Sequence, residues 1–253
     1  MIAQRDVLVF IVEQDIYARQ AIASYLSWDR RTRVVGRAGT IHEMFAQLQA
    51  DPIQARLDVV VLDTRLARDA DGLASTVELI RHRLPEASVI CLAHYLDREQ
   101  ALAAAQAGAS AFLTREDVGV GIANAVRFVL NGPFVVTQDV CDLWGMDVGV
   151  VIPSIRVLPS RRQYPRLTER IEQALWLCVI EGLPAELAAE EMGVSTNTVR
   201  SYIKEGYRIL ETYDETTYPS VMSPVERAFQ RYTALEQAGL PWEREDAPFI
   251  PAA

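Results

Sequence analysis

Short apolar and β-branched runs alternate with helix-length segments over the first half of the chain. The runs predict five strands, at Val7–Val12, Val34–Arg37, Asp58–Leu62, Val89–Leu92 and Ala111–Leu113. Four of the five are near-continuously apolar, which is typical of strands buried on both faces of a parallel sheet. The apolar spacing predicts five helices, over Ile16–Trp28, Ile41–Leu48, Leu73–Leu84, Arg98–Ala107 and Val118–Leu130. Residues 1–132 are therefore expected to form a doubly wound α/β domain with a five-stranded parallel sheet.

The alternation ends at Gly132. Residues 133–166 contain several prolines and no regular period, so they predict a linker, to which residues 145–152 could add an edge strand. From Leu167 the apolar spacing becomes purely helical. It predicts a helix-turn-helix domain over residues 167–212, because two helices are joined by a short turn that contains glycine. The expected helices lie near Glu169–Glu181, Ala185–Glu191 and Thr196–Glu211.

The C-terminal extension, residues 213–253, carries one more helix signal. Ser223, Pro224 and Glu226 occupy the N-cap, N1 and N3 positions that commonly begin a helix. A helix over residues 223–238 is therefore predicted.

Composition narrows the classes of function. The chain has 253 residues, half of them hydrophobic, so it can bury a sizeable core and global disorder is excluded. No apolar stretch approaches the roughly 20 residues that cross a membrane, so we expect a cytoplasmic protein with no membrane partner. The net charge of −9 argues against non-specific coating of nucleic acid but is compatible with a local basic patch. The sequence has no Ser/His/acid order and no phosphate-cradling glycine loop, so we do not expect an enzyme.

Three carboxylates follow two strands that are neighbours in this topology. Asp63 comes directly after the third predicted strand, and Glu13 and Asp15 follow the first. Because the carboxyl ends of parallel strands meet at one edge of the sheet, these side chains are expected to form an acidic crevice. Glu13 and Asp63 could hold Mg²⁺ there, and no other cofactor is expected. The alternative is that each acid caps the following helix, which is the interpretation we favour for Asp15.

Four segments of the first domain match a known family. They are Val9–Asp15, Val59–Asp63, Asp71–Leu73 and Ala107–Leu113. Through them, residues 7–130 resemble the receiver domain of two-component response regulators. The resemblance implies a flavodoxin-like fold, Asp63 as the phosphoacceptor, and a histidine kinase or another regulatory protein as a partner. It also places Phe112 where the family has its rotating aromatic switch residue.

Three positions depart from the pattern of that family. Gln14 is an amide where the family has the second of two acids after the first strand. Ala93 stands where the family has Ser or Thr at the end of the fourth strand, and Arg115 where it has lysine after the fifth. These changes remove a Mg²⁺ ligand, a hydroxyl and a compact ammonium, so we expect an atypical receiver in which phosphorylation of Asp63 and its readout are impaired. A small ligand in the crevice or a partner protein could equally be the input.

The helix-turn-helix segment matches a second family. The matches are Leu167-Thr168, Glu172, Gly182-Leu183-Pro184, Leu187-Ala188, Met192–Ser195 and Thr198–Tyr202. Through them, residues 167–211 resemble the DNA-binding domain of LuxR/NarL-type response regulators. Region four of sigma factors is similar over the same stretch, but the receiver-like domain in front favours a regulator.

The last of the three helices has the features of a recognition helix. Ser195 is a good N-cap, and the N–H groups of the first turn attract a phosphate. The hydroxyls of Thr196 and Thr198 could add contacts to the DNA backbone. Basic residues recur every four positions and, with Ser201 beside them, could read base edges in the major groove; they are Arg200, Lys204 and Arg208.

The charge balance of this domain leaves two interpretations open. Residues 167–211 hold four basic and eight acidic residues, a net charge of −4. The basic residues could form a solvated face paired with Glu205 and Glu211. Otherwise, binding to double-stranded DNA would be salt-sensitive and would need a homodimer. We expect a cytoplasmic DNA-binding transcription regulator of the response-regulator type; the alternative is an adaptor that binds another regulator or RNA polymerase instead of DNA.

Overall fold

A single parallel sheet organises the first domain. The computed structural model of the chain describes residues 6–50, 56–130, 132–144, 152, 154–214 and 216–236. Within these residues the sheet has seven strands, hydrogen-bonded in the order β2-β1-β3-β4-β5-β6-β7, and every pairing is parallel. The strands are β1 (Val7–Val12), β2 (Thr32–Ala38), β3 (Val59–Asp63), β4 (Ser88–Ala93), β5 (Ala111–Thr114), β6 (Phe134–Val136) and β7 (Ile155–Val157).

Helices cover both faces of this sheet because successive strand residues point to opposite sides and most of them are apolar. Phe10 and Leu62 belong to one apolar cluster, and Ile11 and Val61 belong to the other. The expected α/β architecture, with β1 between β2 and β3, is confirmed. The helices of this domain are α1 (Ile16–Trp28), α2 (Ile41–Ala50), α3 (Ala70–Arg83), α4 (Arg98–Gln106), α5 (Arg115–Val118) and α6 (Ile122–Val129).

The expectation of a five-stranded sheet followed by a linker was wrong. Residues 134–136 form β6 and pair with β5, helix α7 (Gln138–Trp144) follows, and β7 pairs with β6. Each of these two strands has only three residues, too few to establish a period of two in the sequence. The edge strand expected over 145–152 lies outside the described residues, apart from Ile152. The segment that was predicted to be a linker thus contributes two strands, which extend the sheet as far as residue 157.

Four further helices follow within residues 154–214 and 216–236. They are α8 (Glu169–Leu175), α9 (Ala185–Met192), α10 (Thr196–Thr212) and α11 (Pro224–Tyr232). A π-helical turn, Trp176–Ile180, continues α8, and Gly193 ends α9 in the left-handed conformation (φ +64°) that glycine favours. Within the described residues, no helix is both long and apolar enough to cross a bilayer.

Helix α11 begins where the sequence predicts and ends earlier. Ser223 and Glu226 form the expected capping box, with Pro224 at the first helical position. The helix stops at Tyr232 because the chain then turns to pair with the segment that precedes α8. Leu235 forms an antiparallel bridge with Arg161. The predicted end near residue 238 lies outside the described residues.

Helix α11 packs between the α/β domain and the helix-turn-helix. Its Phe229 is 1% exposed and stacks on Trp28 of α1, with ring centroids 5.2 Å apart. Glu226 accepts a hydrogen bond of 2.8 Å from Arg30, and the carbonyl of Thr233 accepts one of 2.6 Å from Asn124 of α6. On its other side, Tyr232 donates to Glu172 of α8 at 2.9 Å. The extension thus joins the two domains.

Replacing Phe229 by alanine is expected to lower the free energy of unfolding by about 3–5 kcal/mol, because it leaves a cavity in this junction. Urea unfolding followed by tryptophan fluorescence measures the loss. Val221→Ala is the matched control, since Val221 is 73% exposed and its truncation should change little. Equal, small losses in the two variants would contradict the packing described here.

Candidate functional site

The crevice at the carboxyl end of the sheet contains two buried carboxylates. Asp63 is the last residue of β3, and Glu13 follows directly after β1; each is 1% exposed. The two strands are paired, with Val12 opposite Leu62, so the next residue of each strand reaches the same edge. The expected convergence of Glu13 and Asp63 is confirmed.

Two guanidinium groups neutralise these carboxylates. Arg65 Nη2 lies 3.0 Å from Glu13 Oε1 and 3.2 Å from Asp63 Oδ2. Arg115 Nη2 lies 3.2 Å from Asp63 Oδ1 and also pairs with Glu13. Each arginine therefore contacts both acids, and we call these four side chains the ion-pair quartet. Burying two carboxylates would be costly without such partners.

The pKa values of the two carboxyl groups in the quartet shift in opposite directions. Burial raises the pKa of Glu13, and its hydrogen bond to Asp63 adds to that effect against the opposing hydrogen bond from the Asp15 backbone. Burial also disfavours the ionised form of Asp63. Hydrogen bonds from Arg65 and Glu13, together with the charge of Arg115, outweigh this effect of burial, and the pKa of Asp63 falls below its ordinary value. Asp63 is thus the carboxylate that these cations hold ionised.

The other predicted residues of the crevice take different roles. Asp15 is the N-cap of α1 and accepts from the backbone N–H groups of Tyr17 and Ala18, as the capping interpretation predicts. Gln14 is exposed beside it. Ala93 and Phe112 are fully buried, Ala93 at the end of β4 and Phe112 inside β5. Both lie in the apolar cluster that contains Phe10, so in this arrangement Phe112 points into the core.

Arg65 is the functional residue that the sequence analysis missed. It stands two residues after Asp63, in a short 3₁₀ turn over Thr64–Leu66 that Asp63 itself caps. Because of this turn, the Arg65 side chain lies beside the carboxylate of Asp63, the residue at which the turn begins. A cation two residues after a strand-ending acid is a weak signal, because spacing alone does not give the direction of a side chain in a turn.

The residues of the crevice do not fit a Mg²⁺ ion as they are arranged here. The oxygens of Glu13 and Asp63 that would bind the ion accept hydrogen bonds from Arg65 and Arg115 instead. Among the described residues, no group of three or more His, Cys, Asp or Glu side chains is placed to hold a metal. A hard divalent cation would also meet two positive charges at this point.

The predicted recognition residues lie on one exposed side of α10. Arg200, Ser201, Lys204 and Arg208 are exposed, while Thr196 and Thr198 are half-buried in the first turn. The opposite side of α10 is buried against α8 and α9 through Val199, Gly206, Ile209 and Leu210. An open groove of about 680 Å³ runs along the exposed side, bordered by the cations and by Pro224 of α11.

Two of the three cations on this side are paired with acids. Arg200 donates to Glu186 of α9 at 2.8 Å, and Arg208 donates to Glu205 one turn earlier at 2.9 Å. Lys204 pairs with no acidic side chain in the part of the chain that the structure describes. Glu211, the other acid considered from the sequence, pairs with Arg231 of α11 instead. Of the pairs in the solvated-face interpretation, the structure shows that of Arg208 with Glu205, whereas Arg200 is paired with Glu186, which that interpretation did not include.

The first turn of α10 is capped as predicted. Ser195 accepts a hydrogen bond of 3.1 Å from the backbone N–H of Thr198. Its hydroxyl also lies 2.8 Å from the hydroxyl of Thr198, so the Thr198 side chain takes part in the cap. The hydroxyl of Thr196 has no such role among the described contacts.

Replacing Arg65 by glutamine is expected to destabilise the protein by about 1–3 kcal/mol at pH 7, because buried carboxylate oxygens lose a charged donor. The lowered pKa of Asp63 contributes stability that is present above pH 3.8 and is lost as the pH falls through that lowered pKa. The difference from the unmodified protein should therefore shrink as the protein is acidified. Urea unfolding at several pH values measures it, and exposed Arg68→Gln is the control. A difference that is independent of pH would contradict the quartet.

Comparisons with known proteins agree with this architecture. Residues 9–118 match the family model of the response regulator receiver domain, and residues 161–210 match that of sigma-70, region 4. The DNA-binding transcriptional activator DevR/DosR of Mycobacterium tuberculosis is 29% identical over 78% of this chain and 85% of its own length. The response regulator VraR of Staphylococcus aureus is 26% identical over 82% of this chain and 92% of its own.

Among solved structures, RcsB of Salmonella enterica serovar Typhimurium, bound to promoter rprA, is 14% identical with a TM-score of 0.45, covering 91% of this chain and 100% of that one. The matched family models follow one another in the order of the two domains described above, and the sequence relatives span both. Over both domains the chain is therefore similar to response regulators, with a receiver domain at residues 9–118 and a helix-turn-helix domain similar to sigma-70 region 4 at residues 161–210.

Proposed function

We propose that the protein is a transcription regulator that places α10 in the major groove of double-stranded DNA. The observation that carries this proposal is the exposed side of α10, where cations stand one turn apart along an open groove. In such a helix, Arg200 and Lys204 would read guanine edges, with Ser201 beside them and Arg208 on the phosphates. The relatives named above include a DNA-binding activator, which supports the same function.

The first turn of α10 supports a phosphate contact at the start of the helix. The first N–H groups of a helix have no partner within it, and Ser195 satisfies that of Thr198. The remaining groups, together with the Thr196 hydroxyl, would bind the DNA backbone and set the register of the helix.

The pairing of Arg200 and Arg208 with glutamates makes this surface a weak electrostatic binder. Before either arginine can contact DNA, it has to exchange a carboxylate for a base or a phosphate. Lys204 is the cation of this side that has no acidic partner among the described residues, so one copy should bind weakly, and added salt should lower its affinity further. We infer that the functional form is a homodimer, which doubles the contact.

Capture of genomic DNA fragments tests the proposal. The unmodified protein is expected to enrich discrete sites that share a repeated half-site, and the Arg200→Ala/Lys204→Ala variant to lose them, since each base contact contributes about 1–3 kcal/mol of discrimination. Enrichment that is absent, or that is indifferent to the double substitution, would exclude direct readout by α10. It would favour an adaptor that binds another regulator or RNA polymerase.

Neutralising Glu186 is expected to strengthen DNA binding. The Glu186→Gln variant frees Arg200 from its partner and should raise the affinity for a captured site about two- to fivefold at low salt. Fluorescence anisotropy with labelled DNA measures this. Glu190→Gln is the matched control, because Glu190 lies on the same helix, is exposed and has no arginine partner among the described residues. Equal gains in the two variants would show a general charge effect and no competition for Arg200.

We also propose that the receiver is atypical and signals without stoichiometric phosphorylation of Asp63. The support lies in the ion-pair quartet: both acids already accept hydrogen bonds from Arg65, and Arg115 donates to Glu13 and forms an ion pair with Asp63. Ala93 adds no hydroxyl at the end of β4. A phosphoryl group on Asp63 would have to displace guanidinium groups and would lack its usual metal. The input would then be a ligand or a regulatory protein.

Incubation with Mg²⁺ and acetyl phosphate tests the receiver. Intact-mass spectrometry is expected to show little phosphorylated protein. The variant Gln14→Asp/Ala93→Thr/Arg115→Lys, which restores the residues of the family pattern, is expected to gain a phosphate that Asp63→Asn removes. Stoichiometric phosphorylation of the unmodified chain, lost on Asp63→Asn, would contradict the proposal and assign the input to a histidine kinase.

A further inference from the structure

A cavity of about 280 Å³ lies where the receiver meets the output domain. It is distinct from the groove along α10, and Arg115 is the member of the ion-pair quartet that lines it. Apart from Arg115, its principal walls are apolar or aromatic: Ala18, Ile22 and Tyr25 of α1, Leu92 of β4, Val120 and Trp176. The first five belong to the receiver and Trp176 to the output domain, so both domains line one cavity.

Arg115 contributes a polar group to this wall. Its Nη2 atom binds Glu13 and Asp63, but its Nε–H is buried and donates to no acceptor among the described residues. A buried donor without an acceptor is unfavourable, and native structures usually satisfy such a group. Arg115 lines the cavity, so a rotation of its side chain that turns the Nε–H toward the cavity would let a bound acceptor satisfy this donor.

Trp176 lines the cavity on the side of the output domain. It begins the π-helical turn after α8 and is 38% exposed, and its indole N–H donates to Glu181 at 2.7 Å. That hydrogen bond restricts the orientation of the indole ring, which also lines the cavity. Short π-helical segments within α-helices frequently occur at functional sites.

The size and charge of the cavity restrict what it can hold. At about 280 Å³ it is just below the range of pockets for drug-sized ligands and is too small for a helix of a partner protein. The quartet sets two guanidinium groups against two carboxylates, so Arg115 offers no surplus positive charge to an anion.

We propose that this cavity is a binding site for a small, neutral, largely apolar molecule that carries one hydrogen-bond acceptor, such as an aromatic ketone. The apolar part packs against Ile22, Tyr25 and Trp176, and the acceptor takes the free Nε–H of Arg115. Because Arg115 also holds Asp63 and Glu13, the bound molecule contacts the crevice and the output domain at once.

Fluorine NMR of protein labelled with 5-fluorotryptophan tests this site. The chain has four tryptophans, and the Trp176→Phe variant assigns the signal of Trp176. The probes are acetophenone and ethylbenzene, which have nearly the same shape and differ in the carbonyl acceptor. Acetophenone is expected to shift the Trp176 signal saturably and to bind about tenfold more tightly than ethylbenzene, as one hydrogen bond from a charged group provides.

Cavity-filling variants provide the control. Ala18→Leu and, separately, Ala21→Leu place methyl groups in the cavity and should abolish the shift. Ala46→Leu, on the exposed side of α2, should leave it unchanged. Thermal melting by circular dichroism shows which of the two filling variants is folded. The proposal is overturned if neither probe shifts the Trp176 signal, if a folded filling variant binds as the unmodified protein does, or if the two probes bind equally.

Discussion

Two carboxylates buried at the ends of neighbouring strands can stay ionised only if cations lie beside them. In this receiver, the topology places Glu13 and Asp63 at one edge of the sheet, and the fold compensates them with Arg65 and Arg115. Arg65 comes from the turn that follows β3, and Arg115 from the start of α5. These ion pairs connect the ends of β1, β3 and β5 and the segments that follow them. They lie at the point where the family resemblance implies a phosphoryl group.

The same constraint connects the crevice to the rest of the molecule. Arg115 pairs with the buried acids and also lines the cavity to which Trp176 contributes, so a change in its position would alter contacts in both domains. Helix α11 joins the domains a second time, through the stacking of Phe229 on Trp28 and the contacts to α6 and α8. The two connections are neighbours on the receiver, because Tyr25 and Val120, which line the cavity, also pack against the apolar cluster that contains Phe229.

Local patterns predicted most of the fold, and long-range packing accounts for the misses. Apolar runs of four to six residues identified β1, β3 and β4, and caps such as Ser195 and Ser223 located helix starts, because these signals act within a few residues. Strands β6 and β7 are too short to show a period and exist because β5 offers an edge. The quartet was predicted in part. The convergence of the two acids follows from the topology, whereas the placement of the Arg65 side chain depends on the direction of a turn. The docking of α11 depends on contacts about 200 residues apart along the chain, such as Arg30 with Glu226, which no local pattern records.

The ionisation of the two buried acids tests the central claim most directly. Carbon-13 NMR of side-chain carboxyl groups, with Asp63→Asn and Glu13→Gln variants for assignment, gives the pKa of each in the folded protein. The pKa of Asp63 is expected to lie below its ordinary value, because the guanidinium groups hold it ionised. The pKa of Glu13 is expected to lie above its ordinary value, because it is buried beside a second acid. Ordinary pKa values for both groups, or a pKa of Asp63 above that of Glu13, would show that the arginines do not hold this pair and would contradict the account.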